Sequence, residues 1–165
     1  MAKRNQNNGI DGFINLNKAA GISSHTAMGK IRRLLDVKAG HAGTLDPAAW
    51  GVLPLCLGKA TRLAEYLEEG QKTYIGTVTL GIETDSYDGQ GQVLEMRDAA
   101  WVQEADVIDV LPRFTGDILQ KPPMVSALKR DGKPLYQLAR EGQMLDLAPR
   151  PVTIHSLRYL GGSFG

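Results

Sequence analysis

The segment Gly40-His41-Ala42-Gly43-Thr44-Leu45-Asp46-Pro47 sets a carboxylate and an imidazole among glycines and small side chains. Glycine admits close backbone approach by a ligand and dihedrals that other residues resist. Pro47 biases Asp46 towards extended backbone, which holds its side chain clear of any helix. A carboxylate with so little bulk around it can face a large planar substrate, where it stabilises developing positive charge, attacks it, or removes a proton. The same residues also describe an ordinary loop, because Asp-Pro is a common turn dipeptide and a histidine in a glycine-rich turn can be purely structural.

Other chemistries find little support. Cys56 is the one cysteine and lies in an apolar run, which reads as core, and His25, His41 and His155 are far apart. Neither a disulfide scaffold nor a Cys/His zinc site is expected. No stretch approaches the roughly 20 apolar residues of a membrane span, and the first residues lack the apolar block of a secretory signal. A cytoplasmic, monomeric protein is expected. At 165 residues and 42% apolar content, the chain suits one ordinary domain. Its net charge of +1 hides a segregation: residues 1–46 carry +4, residues 47–109 carry −7 and residues 110–165 carry +4. Basic flanks of this kind can meet a polyanion if the fold brings them together, and they also fit solvated surface charge.

The elements that must hold these residues can be read in outline. Residues 1–9 are polar and read as a disordered tail, and residues 10–165 as the folded part. Phe13, Ile14 and Leu16 form a β-type run ending at Lys18. Ser23 or Ser24 offers an N-cap for a helix with Ala27, Met28, Ile31, Leu34 and Leu35 at helical spacing. Residues 39–58, rich in glycine and proline, are expected to be irregular. A helix is predicted from Ala60 to Glu69, with Leu63, Ala64 and Leu67 inward. Thr73–Leu80 alternates as a strand does and is predicted to pair with Gln92–Met96. A helix through Ala105, Val107, Ile108 and Leu111 should close at Pro112. Residues 120–134 read as a long cationic loop, Leu135–Arg140 as a helical turn and Val152–Leu160 as a last strand. This interleaving predicts an α+β fold on a largely antiparallel sheet flanked by helices. Tyr159-Leu-Gly-Gly-Ser-Phe-Gly165 reads as a strand entering a turn with no return strand, so more protein is expected beyond it.

The stretch from Gly40 to Arg62 resembles the catalytic motif of TruB-type pseudouridine synthases, which isomerise uridine-55 in the T loop of tRNA. Gly12–Lys18 with Gly21-Ile-Ser-Ser24 is similar to that family's opening strand and helix start. Lys72-Thr-Tyr74, Gly81–Gly91, Gln120–Lys129, Gly132–Tyr136 and Ala139–Gly142 resemble further family segments in the same order. The resemblance implies the N-terminal part of a pseudouridine-synthase fold with an inserted RNA-gripping loop, lacking the family's C-terminal strands and RNA-binding domain. It implies that Asp46 is the catalytic carboxylate, that Tyr74 lies against the target base, and that His41 helps hold a flipped-out nucleotide in a pocket to which Gly43 gives room. It also implies that Lys72 supports the site and that Lys121, Lys129, Arg130 and Lys133 meet RNA phosphates. No cofactor or metal is implied, since the isomerisation neither changes redox state nor hydrolyses a bond. The implied partner is the tRNA T arm, with no membrane.

Two residues depart from the family pattern: Trp50 stands where a Thr or Ser is usual, and Val125 where an aromatic is frequent. A chain lacking the family's later arginine and tyrosine is expected to have negligible activity alone. A non-catalytic tRNA-binding or folding chaperone is the alternative. A glycosidase or lyase is disfavoured, because it needs a second catalytic acid at a definite separation and Glu68, Glu69, Glu95 and Asp98 look like scattered surface residues.

Overall fold

The computed structural model describes residues 9–122, 129–130, 133–134 and 147–164. The tail before Gly9, Val125, the expected helical turn at Leu135–Arg140 and the side chains of Lys129, Arg130 and Lys133 lie outside the described residues. The chain forms two compact units, residues 1–75 and 76–165.

The first unit is built on a three-stranded antiparallel sheet. Strand β1 (Gly12–Lys18) and strand β2 (Ala39–His41) flank strand β3 (Gly51–Leu57), with Ile14 opposite Leu55, Leu16 opposite Leu53 and His41 opposite Leu55. The expectation that residues 39–58 are irregular is therefore wrong at both ends. The Val52–Leu57 run is apolar because much of β3 is covered on both faces, a signal that the neighbouring glycines and proline obscured. Pro54 is tolerated because it lies one residue beyond the β2 pairing, where its carbonyl accepts the Ala42 N–H (2.9 Å) and no donor is needed.

Helix α1 (Ser24–Leu35) covers one face of this sheet. Ala27 and Met28 bury against Leu53 and Leu55, with Ile14, Leu16, Ile22, Ile31, Ala39 and Leu45 around them. Each such leucine contributes about 1.5–3 kcal/mol by leaving water. Ser23 is the N-cap, its hydroxyl accepting the Thr26 N–H (3.1 Å), and Asp36 ends the helix in the left-handed region at φ 45°. Leu34 fits the helical spacing yet is 78% exposed, so the buried stripe is narrower than the pattern suggested.

On the other face Cys56 packs with Ala42, Ala60 and Ala64. The expected helix from Ala60 to Glu69 is a 3-10 turn, Gly58–Leu63, followed by a short helix α2 (Ala64–Glu68). A 3-10 turn advances about 120° per residue, so a pattern read at 3.6 residues per turn falls out of phase. Ala60 and Ala64 face the sheet, while Leu63 and Leu67 are exposed. Gly58 starts the turn at φ +57°, and a Cβ there would collide with the Ile10 carbonyl and the Asp11 carboxylate.

Among the described residues, the second unit shows antiparallel ribbons and one α-helix. Strand β4 (Ile82–Thr84) pairs with β5 (Val93–Met96), so the partner of 93–96 is not 73–80 as predicted. The turn decides this. Asp85 Oδ1 accepts the Gln92 N–H (2.8 Å), Asp88 Oδ1 accepts the Gln90 N–H (2.8 Å) and the Ser86 hydroxyl (2.7 Å), and the hairpin closes directly on them. Thr73–Leu80 joins no ladder among the described residues, and Ile75 and Val78 are more than 80% exposed. Helix α3 (Glu104–Val110) has a Gln103–Asp106 capping box, and Pro112 lies in the 3-10 turn after it, as the pattern indicated. Strand β6 (Gly116–Gln120), not foreseen, pairs with β9 (Arg150–Ile154), which ends six residues before Leu160. Inside the expected loop, β7 (Lys129–Arg130) and β8 (Lys133–Pro134) form a minimal hairpin. The α+β class and antiparallel pairing hold; the single flanked sheet is replaced, among the described residues, by separate small ones.

Candidate active site

Asp46 follows β2 in the loop that enters β3, and the loop is fixed residue by residue. Leu45, just before it, packs its side chain against the α1–β3 core. The Leu45 N–H donates to the Ser24 hydroxyl, which in turn donates to the Leu45 carbonyl, each at 2.9 Å. After it, the Pro47 carbonyl accepts the Gly21 N–H at 2.7 Å. The Asp46 carbonyl accepts the Ala49 N–H at 3.0 Å, closing a turn. The backbone is thus held on both sides of Asp46, while its side chain is exposed and its carboxylate accepts no hydrogen bond among the described residues. An anchored backbone carrying an open, unpaired carboxylate suits a group that must meet a ligand rather than cap a turn.

His41 ends β2, half-buried, and its ring closes the turn after it. Nδ1 lies 2.7 Å from the Gly43 carbonyl, which can only accept, so Nδ1 carries the hydrogen and Nε2 of the neutral ring is left as an acceptor. Gly43 takes φ +83°, a conformation a side chain would strain. Its N–H donates to Glu68 Oε1 (3.0 Å), and Lys72 Nζ donates to the Glu68 and Gly70 carbonyls at the end of α2. His41, Gly43, Glu68 and Lys72 therefore form one linked group, of which His41 and Gly43 lie within five residues of Asp46 in sequence. Lys18, 1% exposed, ties the opposite loop by donating to the Ala19 and Ile22 carbonyls (3.0 and 2.8 Å).

Tyr74 is not drawn into this group. It is 69% exposed and no hydrogen bond joins it to Asp46 or His41. Lys121 is exposed just after β6, and Lys129, Arg130 and Lys133 lie on the β7–β8 hairpin, all in the second unit. Trp50 is 76% exposed four residues after Asp46. Cys56 is fully buried, and that burial pushes its thiol pKa up, as a core cysteine requires. Sequence reasoning missed Ser24 and Glu68. The Ser23-Ser24 pair was a signal, since one serine suffices to cap α1; nothing in the sequence marked Glu68.

Among the described residues no helix is long and apolar enough to cross a membrane, and no three His, Cys, Asp or Glu side chains form a metal-sized group. Residues 32–163 match the family model described as TruB family pseudouridylate synthase (N terminal domain). The chain is 47% identical over 161 residues to a tRNA pseudouridine synthase B of Chromohalobacter salexigens, covering 97% of this chain and 52% of that protein. It is 50% identical over 152 residues to one of Symbiobacterium thermophilum, covering 92% and 51%. A chain in the solved structure titled "Crystal Structure of a Cbf5-Nop10-Gar1 Complex" shares 34% identity at a TM-score of 0.48, covering 72% of this chain and 31% of that one. The chain spans about half the length of the curated relatives it matches. With its matching segment running through the Asp46 loop, the chain belongs to the TruB family of pseudouridylate synthases.

Proposed function

We propose that this chain supplies the Asp46-bearing half of an isomerase that converts uridine to pseudouridine at position 55 in the T loop of tRNA, in the cytoplasm. The reaction breaks the bond from ribose C1′ to N1, turns the uracil, joins C1′ to C5, and replaces the proton lost from C5 by one gained at N1, so that the product is an isomer of the substrate. Positive charge develops on the sugar when the glycosidic bond breaks. Asp46 meets that charge, by adding to C1′ or by taking the 2′ proton. Tyr74 faces the base and exchanges the C5 proton. The uridine must first leave the stacked loop, at a cost of a few kcal/mol. His41 offers Nε2 to the flipped nucleotide, in a turn kept narrow by Gly43. Lys72, tied to the end of α2, holds that turn in place through Glu68. Lys121, Lys129, Arg130 and Lys133 meet phosphates and position the arm without reading its sequence.

The observation that carries this reading is the Asp46 geometry: a backbone held at Leu45, Asp46 and Pro47 under an exposed carboxylate that has no partner among the described residues. The test is pseudouridine formation in a T-arm hairpin by this chain, alone and with the C-terminal half of the Symbiobacterium relative added. Turnover is expected only with both halves, and D46N should lower it about 10³-fold or more while leaving hairpin affinity within a few-fold. A D46N protein that keeps every measurable activity refutes the catalytic reading and leaves a tRNA-binding chaperone.

A further inference from the structure

We infer that Ser24 is a positioning residue for Asp46. The role rests on the catalytic reading above for its consequence and on geometry of its own for its existence. Ser24 is 2% exposed and opens α1, yet it does not cap that helix, because Ser23 does. Its hydroxyl is spent instead on Leu45, 21 residues away, where it both accepts from the N–H and donates to the carbonyl. A hydroxyl can do both at once, and here it stands in for the neighbouring strand that an extended residue would otherwise need. Leu45 is held in three ways, by its side chain in the core and by both of its backbone groups. Asp46 lies one planar peptide further on, so its Cα inherits that placement.

Among the described residues no other group bonds the Leu45 N–H or carbonyl. Replacing Ser24 by alanine leaves the Leu45 N–H and carbonyl without their partner and frees the peptide that leads into Asp46. Displacing a reacting group by about 1 Å can cost roughly 10²-fold in rate, so the defect should fall on the chemical step more than on RNA binding, whose proposed phosphate contacts come from other segments of the chain.

The experiment compares S24A and S24T with the parent chain. Amide exchange at Leu45 and Leu55 is read on the full chain, and kcat and KM on a T-arm hairpin with the C-terminal half of the Symbiobacterium relative present. S24A should speed exchange at Leu45 at least about tenfold and leave Leu55 slow. It should lower kcat about 10- to 100-fold with KM within about twofold, and S24T, which keeps the hydroxyl, should restore most of both. Unchanged exchange at Leu45, or an unchanged kcat in an active enzyme, overturns the inference. So does equal loss of protection at Leu55, which would make Ser24 a residue of the whole fold. If D46N proves as active as the parent, the catalytic reading has failed, and the exchange result alone still decides whether Ser24 orders the loop.

Discussion

From Gly9 to Ile75 nine apolar residues are buried to 8% exposure or less: Ala27, Met28, Val37, Ala42, Leu53, Leu55, Cys56, Leu57 and Ala60. From Gly76 to Phe164 the described residues buried to a comparable degree are Ser86 and Pro122. Both regions have hydrogen-bonded strands, but among the described residues only those of the first lie on a buried apolar core. Val93, Leu94, Met96 and Leu119, on the strands of the second, are all more than half exposed. Ladders define which residues are neighbours; burial of apolar surface decides how firmly they stay so. In the proposed function, the carboxylate that has to be held accurately is in the first region and the cations assigned to the RNA backbone are in the second. That division of labour suits the proposed chemistry, in which the sugar has to be met at one point and the phosphates along a path.

The largest effect should appear in native amide exchange. Amides of β3 should open only with the first region as a whole, and those of β4, β5 and β6 by local fraying, a difference of about 10³-fold or more in protection. Equal protection in the two regions would break the comparison. Next in size is a pair of truncations. L55A removes a fully buried side chain and should cost about 2–5 kcal/mol. L119A, on a side chain that is 73% exposed, should change stability by less than about 0.5 kcal/mol. Urea melts followed by Trp fluorescence and by exchange would measure both.

What the sequence disclosed follows the same line. β1, α1 and α3 were legible because each carries its own signal: alternation at Ile14 and Leu16, a serine cap before Ala27 and Met28, and Pro112 just past Leu111. β3 was hidden because Gly51 and Pro54 look like loop residues until β1 and β2 are seen on either side of them. The 93–96 pairing was misassigned because periodicity says that a segment can be a strand, never which strand it meets; the Asp85 and Asp88 side chains settle that. Asp46, His41 and Gly43 stood out by residue type and by resemblance. Ser24 and Glu68 did not, since their contacts with Leu45 and Gly43 join residues 21 and 25 places apart, which no local pattern encodes.

A smaller effect concerns Cys56. Its thiol is fully buried and its pKa is raised by desolvation, so the neutral form is favoured in the folded protein. The sign follows from linkage. Its stabilising contribution is complete below the ordinary thiol range and is lost as pH rises through that range towards the raised value. Thiol reagents should therefore label Cys56 only when the first region opens, at a rate that tracks the β3 amides. L119A should leave that rate alone, and L55A should raise it. Rapid labelling of the folded parent chain would show that the core of the first region is not closed.

The smallest effects are expected at Arg97, and their sign is informative. Arg97 makes a two-pronged contact with Glu95, Nε to Oε1 and the second nitrogen to Oε2, both at 2.6 Å, on side chains that are largely exposed. The hydrogen bond from Arg97 lowers the Glu95 pKa, so whatever the contact contributes is present above the ordinary carboxylate range and fades as pH falls through the lowered value. Exposed pairs of this kind are screened by salt, and by itself the contact should be hard to detect. Register adds a further charge. Glu83 stands directly opposite Glu95 in the β4–β5 ladder, two like charges facing each other. E95Q removes the attraction and the repulsion together and should leave the hairpin as it was at pH 7. R97A removes only the attraction, leaving Glu83 and Glu95 opposed, and should speed exchange of the β5 amides in low salt, with the difference vanishing in about 0.5 M salt as the Debye length shrinks to a few ångströms. A salt-independent loss on R97A would mean that the arginine stem covers apolar surface on the ribbon, and the second region would then possess a core, however small.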